Sequence, residues 1–153
     1  MIQAERVSKP AFAVIGKEGG TQEGPGFVQR LWAEANAHFG EVLPFAVEKE
    51  GRPAACWGLM SDSSRQFRPW EEDFSKGLYL AGVECRPDAQ AEGWTVWKAP
   101  AAEYIRILCD NGYPFREGLA YLLDSGLKLA GAVYDHTDLL TGKSYLYFPI
   151  RRL

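Results

Sequence analysis

Apolar and polar positions along the chain follow two periods, and the switches between them mark out elements. AFAVIGKEG (11–19), after Pro10, predicts a strand that runs into the glycine-rich GGTQEGPG. Through GFVQRLWAEANAHFG (26–40), Phe27, Leu31, Ala35 and Phe39 recur every four residues, with Val28 and Trp32 beside them and Gly40 as a stop, so a helix with one apolar face is predicted. Beyond a loop with Pro44, Gly51 and Pro53, AACWGLM (54–60) predicts a strand. The polar SDSSRQFRPWEEDFSKG then leads into LYLAGVEC (78–85). Strand alternation there puts Leu78, Leu80, Gly82 and Glu84 on one face and Tyr79, Ala81, Val83 and Cys85 on the other.

The same order then returns. WTVWK (94–98) is a short extended piece leading into the strand AEYIRILC (102–109). The break DNGYP (110–114) precedes a helix, FREGLAYLLDSG, with Phe115, Leu119 and Leu122 or Leu123 facing inward and Gly126 near its end. AVYDH (132–136) and SYLYFPIRR (144–152) follow as strands. Two strand-helix-strand-strand units, about 10–86 and 93–152, therefore share one domain over 1–153, and no linker separates them. The expected fold is α+β: duplicated β-α-β-β units with pseudo-twofold symmetry, a mixed sheet with both helices on one face, and a ligand cleft on the other.

Composition narrows the function. A chain of 153 residues typically buries about 70% of the surface its unfolded form exposes, so a core needs no disulfides. An aromatic content of 13%, with five Trp and seven Tyr, points to an aromatic-lined pocket. The net charge of −3 and a pI near 5.4 argue against a nucleic-acid partner. No segment approaches the roughly 20 apolar residues a membrane span needs, and MIQAERVSKP lacks a signal-peptide run, so a cytoplasmic protein without a membrane partner is expected. Cys56, Cys85 and Cys109 are scattered and read as reduced, buried thiols, and with only His38 and His136 a metal site is not expected. Neither a nucleotide-phosphate loop nor a G-x-S-x-G elbow is present, so no cofactor is expected.

One residue breaks the pattern: Glu84 shares its face with two leucines. Burial disfavours the charged form of a carboxylate unless a cation or hydrogen-bond donors compensate. A carboxylate among aromatic rings suits a lipophilic cation, because ring faces attract positive charge at about 0.5–2 kcal/mol per contact. Glu84 is thus the first candidate for a ligand's counter-ion; the alternatives are a pair with an arginine such as Arg106, or a position at a sheet edge pointing to water. Trp57, Tyr104, Tyr134 and Tyr147, on strands, and Trp32, on the first helix, are the candidate cleft walls, although any one of them taken singly reads as core. The acidic run PWEEDF (69–74) either draws cations to the cleft mouth or is a solvated loop.

The order of elements and the phrases FVQRLW, ACWG, YLAGVE, GWTVWKAPAAEYIRI and YLYFPI resemble the gyrase-inhibitor-like (GyrI-like) small-molecule-binding family, also found as the effector-binding part of AraC-type and drug-responsive regulators. The resemblance runs from about Val14 to Arg151. It implies two units enclosing an aromatic cleft, often with a glutamate, that takes bulky, apolar and frequently cationic compounds. The expectation is a stand-alone, multidrug-type sensor or sequestering protein, like transcription regulators in its effector domain but not acting on nucleic acid directly. Where relatives carry an E-x-Y phrase in the penultimate strand, this chain has Ala132-Val133-Tyr134, which leaves Glu84 and Asp135 as the available carboxylates. The resemblance also implies an alternative, a hydrolase of strained cyclopropane-bearing electrophiles, with Glu84 as acid or base and Tyr134 beside it. A protein partner, as the family name suggests for gyrase, is a third possibility.

Overall fold

The computed structural model describes residues 2–110 and 112–153; Met1 and Asn111, the latter within the predicted break at 110–114, lie outside the described residues. In chain order the elements are β1 (Ala4–Lys9), β2 (Phe12–Gly20), α1 (Phe27–His38), β3 (Glu48–Lys49), β4 (Arg52–Pro53), β5 (Ala55–Ser61), α2 (Glu71–Phe74), β6 (Leu78–Cys85), β7 (Thr95–Ala99), β8 (Ala102–Leu108), α3 (Phe115–Asp124), β9 (Tyr134–Asp138) and β10 (Ser144–Arg152). Each predicted strand and helix is present, within about two residues of its predicted ends. β1 was not predicted, because AERVSK carries too few apolar positions to alternate visibly; its exposure suits its place at a sheet edge.

Eight strands form one sheet in the order β1-β8-β10-β9-β5-β6-β2-β7, while β3 and β4 pair separately. The order reads the same outward from the β9–β5 junction: β9 matches β5, β10 matches β6, β8 matches β2 and β1 matches β7. This is the expected pseudo-twofold duplication in an α+β fold. The sheet is antiparallel throughout rather than mixed. The helical crossover makes β2 and β5 parallel, but β6 lies between them and pairs antiparallel with both. The second unit repeats this, with β10 between β8 and β9.

α1 and α3 lie on the same face. Phe27 and Leu31 of α1 pack on Tyr79 and Ala81, and Leu122 and Phe115 of α3 pack on Ile105, Ile107, Leu146 and Phe148. The opposite face rolls in on itself. Lys9 on β1 and Glu84 on β6 are five strand steps apart, about 24 Å in a flat sheet, yet their Nζ and Oε2 atoms are 3.3 Å apart. Two short links, Pro10-Ala11 between β1 and β2 and Pro100-Ala101 between β7 and β8, tie each edge of the sheet to its far side. The enclosed space is filled by Phe12, Trp57, Leu59, Leu80, Trp97, Tyr104, Tyr134 and Tyr147, with Phe67 inserted from the loop after β5. Their rings meet at centroid distances from 4.7 Å (Phe12–Trp57) to 6.4 Å (Phe12–Tyr134), the spacing of packed aromatic pairs.

Candidate ligand-binding cleft

The structure brings together most of the residues that the sequence singled out, but as core. Trp57, Tyr104 and Tyr134 are 1–2% exposed and Tyr147 is 6% exposed, and they pack against one another inside the rolled sheet. Glu84 faces the same interior. One carboxylate oxygen accepts from Trp57 Nε1 at 2.8 Å and the other pairs with Lys9 at 3.3 Å. The Lys9 ammonium in turn lies 4.5 Å from the Phe12 ring centre and 5.5 Å from that of Trp57. The aromatic rings and carboxylate expected to receive a ligand's cation therefore already hold one supplied by the chain. Arg106, the alternative partner for Glu84, bonds Glu5 and the Tyr147 hydroxyl instead.

An open cleft lies on the helix-bearing face, whereas the opposite face, where one was expected, closes around its own aromatic side chains. A cleft of about 580 Å³ runs between α1 and the start of α3, walled by Val28, Trp32, Asn36, Tyr113 and Phe115, with Met60, Tyr79, Val133, Asp135 and Leu146 beneath. A second cavity of about 320 Å³ continues it past Cys56, Gly58, Thr137 and Leu139, sharing Trp32, Asn36, Tyr113 and Asp135. This space sits over the β5–β9 junction, where the two units meet. Of the residues named as cleft walls only Trp32 lines it, and Asp135, named as a substitute carboxylate, lies on its floor.

The floor carries a relay of three side chains. Trp32 Nε1 donates to the Tyr79 hydroxyl at 2.9 Å, and that hydroxyl donates to Asp135 Oδ2 at 2.8 Å. Tyr79 is on β6 and Asp135 on β9, so the tyrosine must cross β5, and it does so over Gly58, which pairs in register with Asp135. A Cβ at position 58 would collide with the Tyr79 hydroxyl and crowd Asp135. Glycine inside a strand marks such a close approach.

Asp135 is half-buried on the cleft floor between α1 and the start of α3. Burial pushes its carboxyl up to about 6, opposed in part by the Tyr79 hydrogen bond, which favours the ionised form. Burial likewise raises Tyr79 well above the ordinary tyrosine range, with Asp135 adding to the effect. At the rim, Tyr113 is 70% exposed. The arrangement offers one carboxylate poised near neutrality, aromatic walls, an amide at Asn36 and a free tyrosine at the mouth. Such a site can hold a bulky apolar molecule and supply either a counter-charge or a proton. Among the described residues, no three His, Cys, Asp or Glu side chains gather as metal ligands.

Sequence reasoning named Asp135 only as a substitute carboxylate and passed over Tyr79, Gly58, Asn36 and Tyr113. Signals for two of these were available. Alternation along AVYDH places Asp135 on the face opposite Tyr134, and Gly58 is a glycine inside a strand. No local pattern marks Tyr113, which lies in the irregular segment just before α3.

No family model matches the sequence, and no curated protein matches it. Solved structures do. The EcmrR C-terminal domain superposes with a TM-score of 0.68 at 11% identity, over 100% of this chain and 99% of that one. SAV2435 bound to tetraphenylphosphonium gives 0.66 at 14% identity, over 97% and 94%. A hydrolase from Listeria innocua gives 0.50 at 14% identity, over 97% and 91%. The likeness is one of fold: the chain shares the fold of the EcmrR C-terminal domain and of SAV2435.

Proposed function

We propose that the protein binds bulky, apolar, cationic small molecules in the cleft between α1 and α3, with Asp135 as counter-ion and Trp32, Tyr79, Tyr113 and Phe115 as aromatic contacts. The observation that carries this reading is the half-buried Asp135 carboxylate on the floor of an aromatic-walled cleft of about 580 Å³, with a tyrosine hydroxyl as its hydrogen-bond partner. Bringing a cation beside a buried carboxylate relieves the desolvation that disfavours its charge, and ring faces add attraction. That a protein of the same fold is solved with tetraphenylphosphonium supports the same ligand class here. On this reading the protein is a cytoplasmic sensor or sequestering protein acting on several such compounds, with no direct role for nucleic acid.

The test is a titration with tetraphenylphosphonium followed by tryptophan fluorescence, since Trp32 lines the cleft. The wild type should quench saturably, and Asp135→Asn should bind at least tenfold more weakly. Equal affinities would remove Asp135 from the site, and no quenching at all would remove the ligand class.

One observation favours a second reading. An acid with its carboxyl near 6, hydrogen-bonded to a tyrosine, is equipped for general acid–base work, and one structure of the same fold is of a hydrolase. In that case Asp135 and Tyr79 take the roles first assigned to Glu84 and Tyr134. Turnover of a neutral cyclopropane-bearing electrophile, lost in Asp135→Asn while binding persists, would establish it.

A further inference from the structure

Beside the main cleft lies a smaller cavity of about 200 Å³ lined by Met60, Pro69, Trp70, Phe74, Phe115 and Val133, without a charged side chain. Met60, Phe115 and Val133 also line the main cleft, so these three form the partition between the compartments. Met60 has an unbranched, adaptable side chain and is the member of the partition best able to move aside.

The roof is unusual. Glu72, Asp73 and Phe74, the last three residues of α2, have φ of 52°, 57° and 64°, so three consecutive non-glycine residues are left-handed. L-residues adopt that conformation singly and at a cost, and a run of them persists only where contacts impose it. Contacts from it reach across to the second unit. The Phe74 ring meets Phe115 edge-on at 5.0 Å, and Asp73 pairs with Arg116 at 3.8 Å, with both side chains largely exposed. An exposed pair of this kind holds weakly. One end of the roof is anchored, since Trp70 Nε1 donates to the Leu78 carbonyl at 2.8 Å.

We infer that this compartment receives the apolar tail of the ligand, with Met60 displaced and the α2 roof closing over it, while the ligand's charged head rests at Asp135. The inference deepens the proposed binding function and rests on it. It names the ligand class as an elongated amphiphile with one cationic head and one slender apolar tail, rather than a compact cation filling only the main cleft. An apolar cavity of this kind has nothing to offer water, so a hydrocarbon tail enters without displacing hydrogen bonds.

The probes are n-alkyltrimethylammonium ions from ethyl to decyl, kept below micelle-forming concentrations and titrated by calorimetry. Affinity for the wild type should rise about three- to fourfold per methylene, the effect of burying one CH₂, and then level off once the compartment is full. Phe74→Ala, which removes the roof ring from a half-buried position, should flatten this rise and leave the ethyl compound's affinity unchanged. Val133→Ile, which narrows the partition, should bring the plateau at least one methylene earlier. Asp135→Asn should weaken every member of the series while keeping the slope. If short members bind through Asp135 but affinity is independent of tail length, or if Phe74→Ala keeps the wild-type slope and Val133→Ile the wild-type plateau, the tail compartment is refuted and the head site stands. If no member binds while tetraphenylphosphonium does, the tail compartment is refuted and the compact-cation reading stands; if neither binds, the cation-binding function falls as well.

Discussion

Tyr79 and Asp135, 56 residues apart in sequence, share a hydrogen bond of 2.8 Å that passes over the bare backbone of Gly58. The contact holds Asp135 at the centre of the cleft floor and lowers a carboxyl pKa that burial alone would push higher. Affinity for tetraphenylphosphonium should therefore depend on pH. A cation prefers ionised Asp135, so affinity should climb by up to about tenfold per unit as pH rises toward 6 and flatten above it. Asp135→Asn should show a flat profile. Tyr79→Phe removes the donor that favours the carboxylate, and the midpoint of the profile should move to higher pH. Fluorescence titrations from pH 4.5 to 8 read all three.

Gly58→Ala puts a methyl where the Tyr79 hydroxyl lies. Overpacking of this sort costs about 1–3 kcal/mol, to be read from urea unfolding. Because the tyrosine must swing away from Asp135, this variant should also shift the pH midpoint of binding in the same direction as Tyr79→Phe.

Glu84 and Lys9 hold the rolled sheet closed from the inside. Glu84→Gln leaves the Lys9 ammonium without its charge partner, and a loss of about 1–3 kcal/mol in stability is expected, as for a buried group deprived of its counterpart. Affinity for tetraphenylphosphonium should not change, because Glu84 lies on the other side of the sheet from the cleft. A large loss of affinity with unchanged stability would place the ligand inside the rolled sheet and overturn the site assignment.

Two half-buried groups act on stability with opposite sign as pH falls. The Asp135 carboxyl rises to about 6 from its ordinary 3.8, so its contribution is complete below 3.8 and is lost as pH climbs through 6. His136, whose ring packs 4.4 Å from Trp57, is lowered by burial to about 4 from 6.5, so its contribution is complete above 6.5 and is lost as pH falls toward 4. Each is worth at most about 3 kcal/mol at 1.36 kcal/mol per unit, and less for Asp135 to the extent that water fills the cleft. Between pH 6.5 and 4.5, relative to wild type, Asp135→Asn should lose stability on acidification and His136→Phe should gain it. Urea midpoints at several pH values give both slopes.

Tyr113 stands at the cleft mouth, exposed and free of core packing. Tyr113→Ala should leave the thermal midpoint within a degree or two of wild type, as surface changes usually do, and weaken binding of tetraphenylphosphonium several-fold through the lost ring contact.

Much of this architecture is legible from residue order. The stripe Phe27, Leu31 and Ala35 is buried as its spacing requires, and LYLAGVEC is a strand over the eight residues that alternation marks. Both follow from backbone geometry within a few residues, which a linear pattern records directly. Even the two faces of β6 were separated correctly, with Leu80 and Glu84 on one and Tyr79 and Ala81 on the other.

What the linear pattern could not decide is which of those faces would enclose a ligand. An aromatic set with one carboxylate reads alike whether it lines a cavity or fills a core. The outcome depends on how far the sheet rolls, and that is settled by contacts such as Lys9 to Glu84, 75 residues apart, and by short links joining opposite edges. Rolling packs Trp57, Tyr104, Tyr134 and Tyr147 together on one side and leaves the gap between α1 and α3 open on the other. Periodicity thus determined the elements and their pairing into two like units, because those are local. Closure of the sheet, and with it the choice of Asp135 over Glu84, belongs to tertiary structure, because it requires strands far apart in the chain to meet.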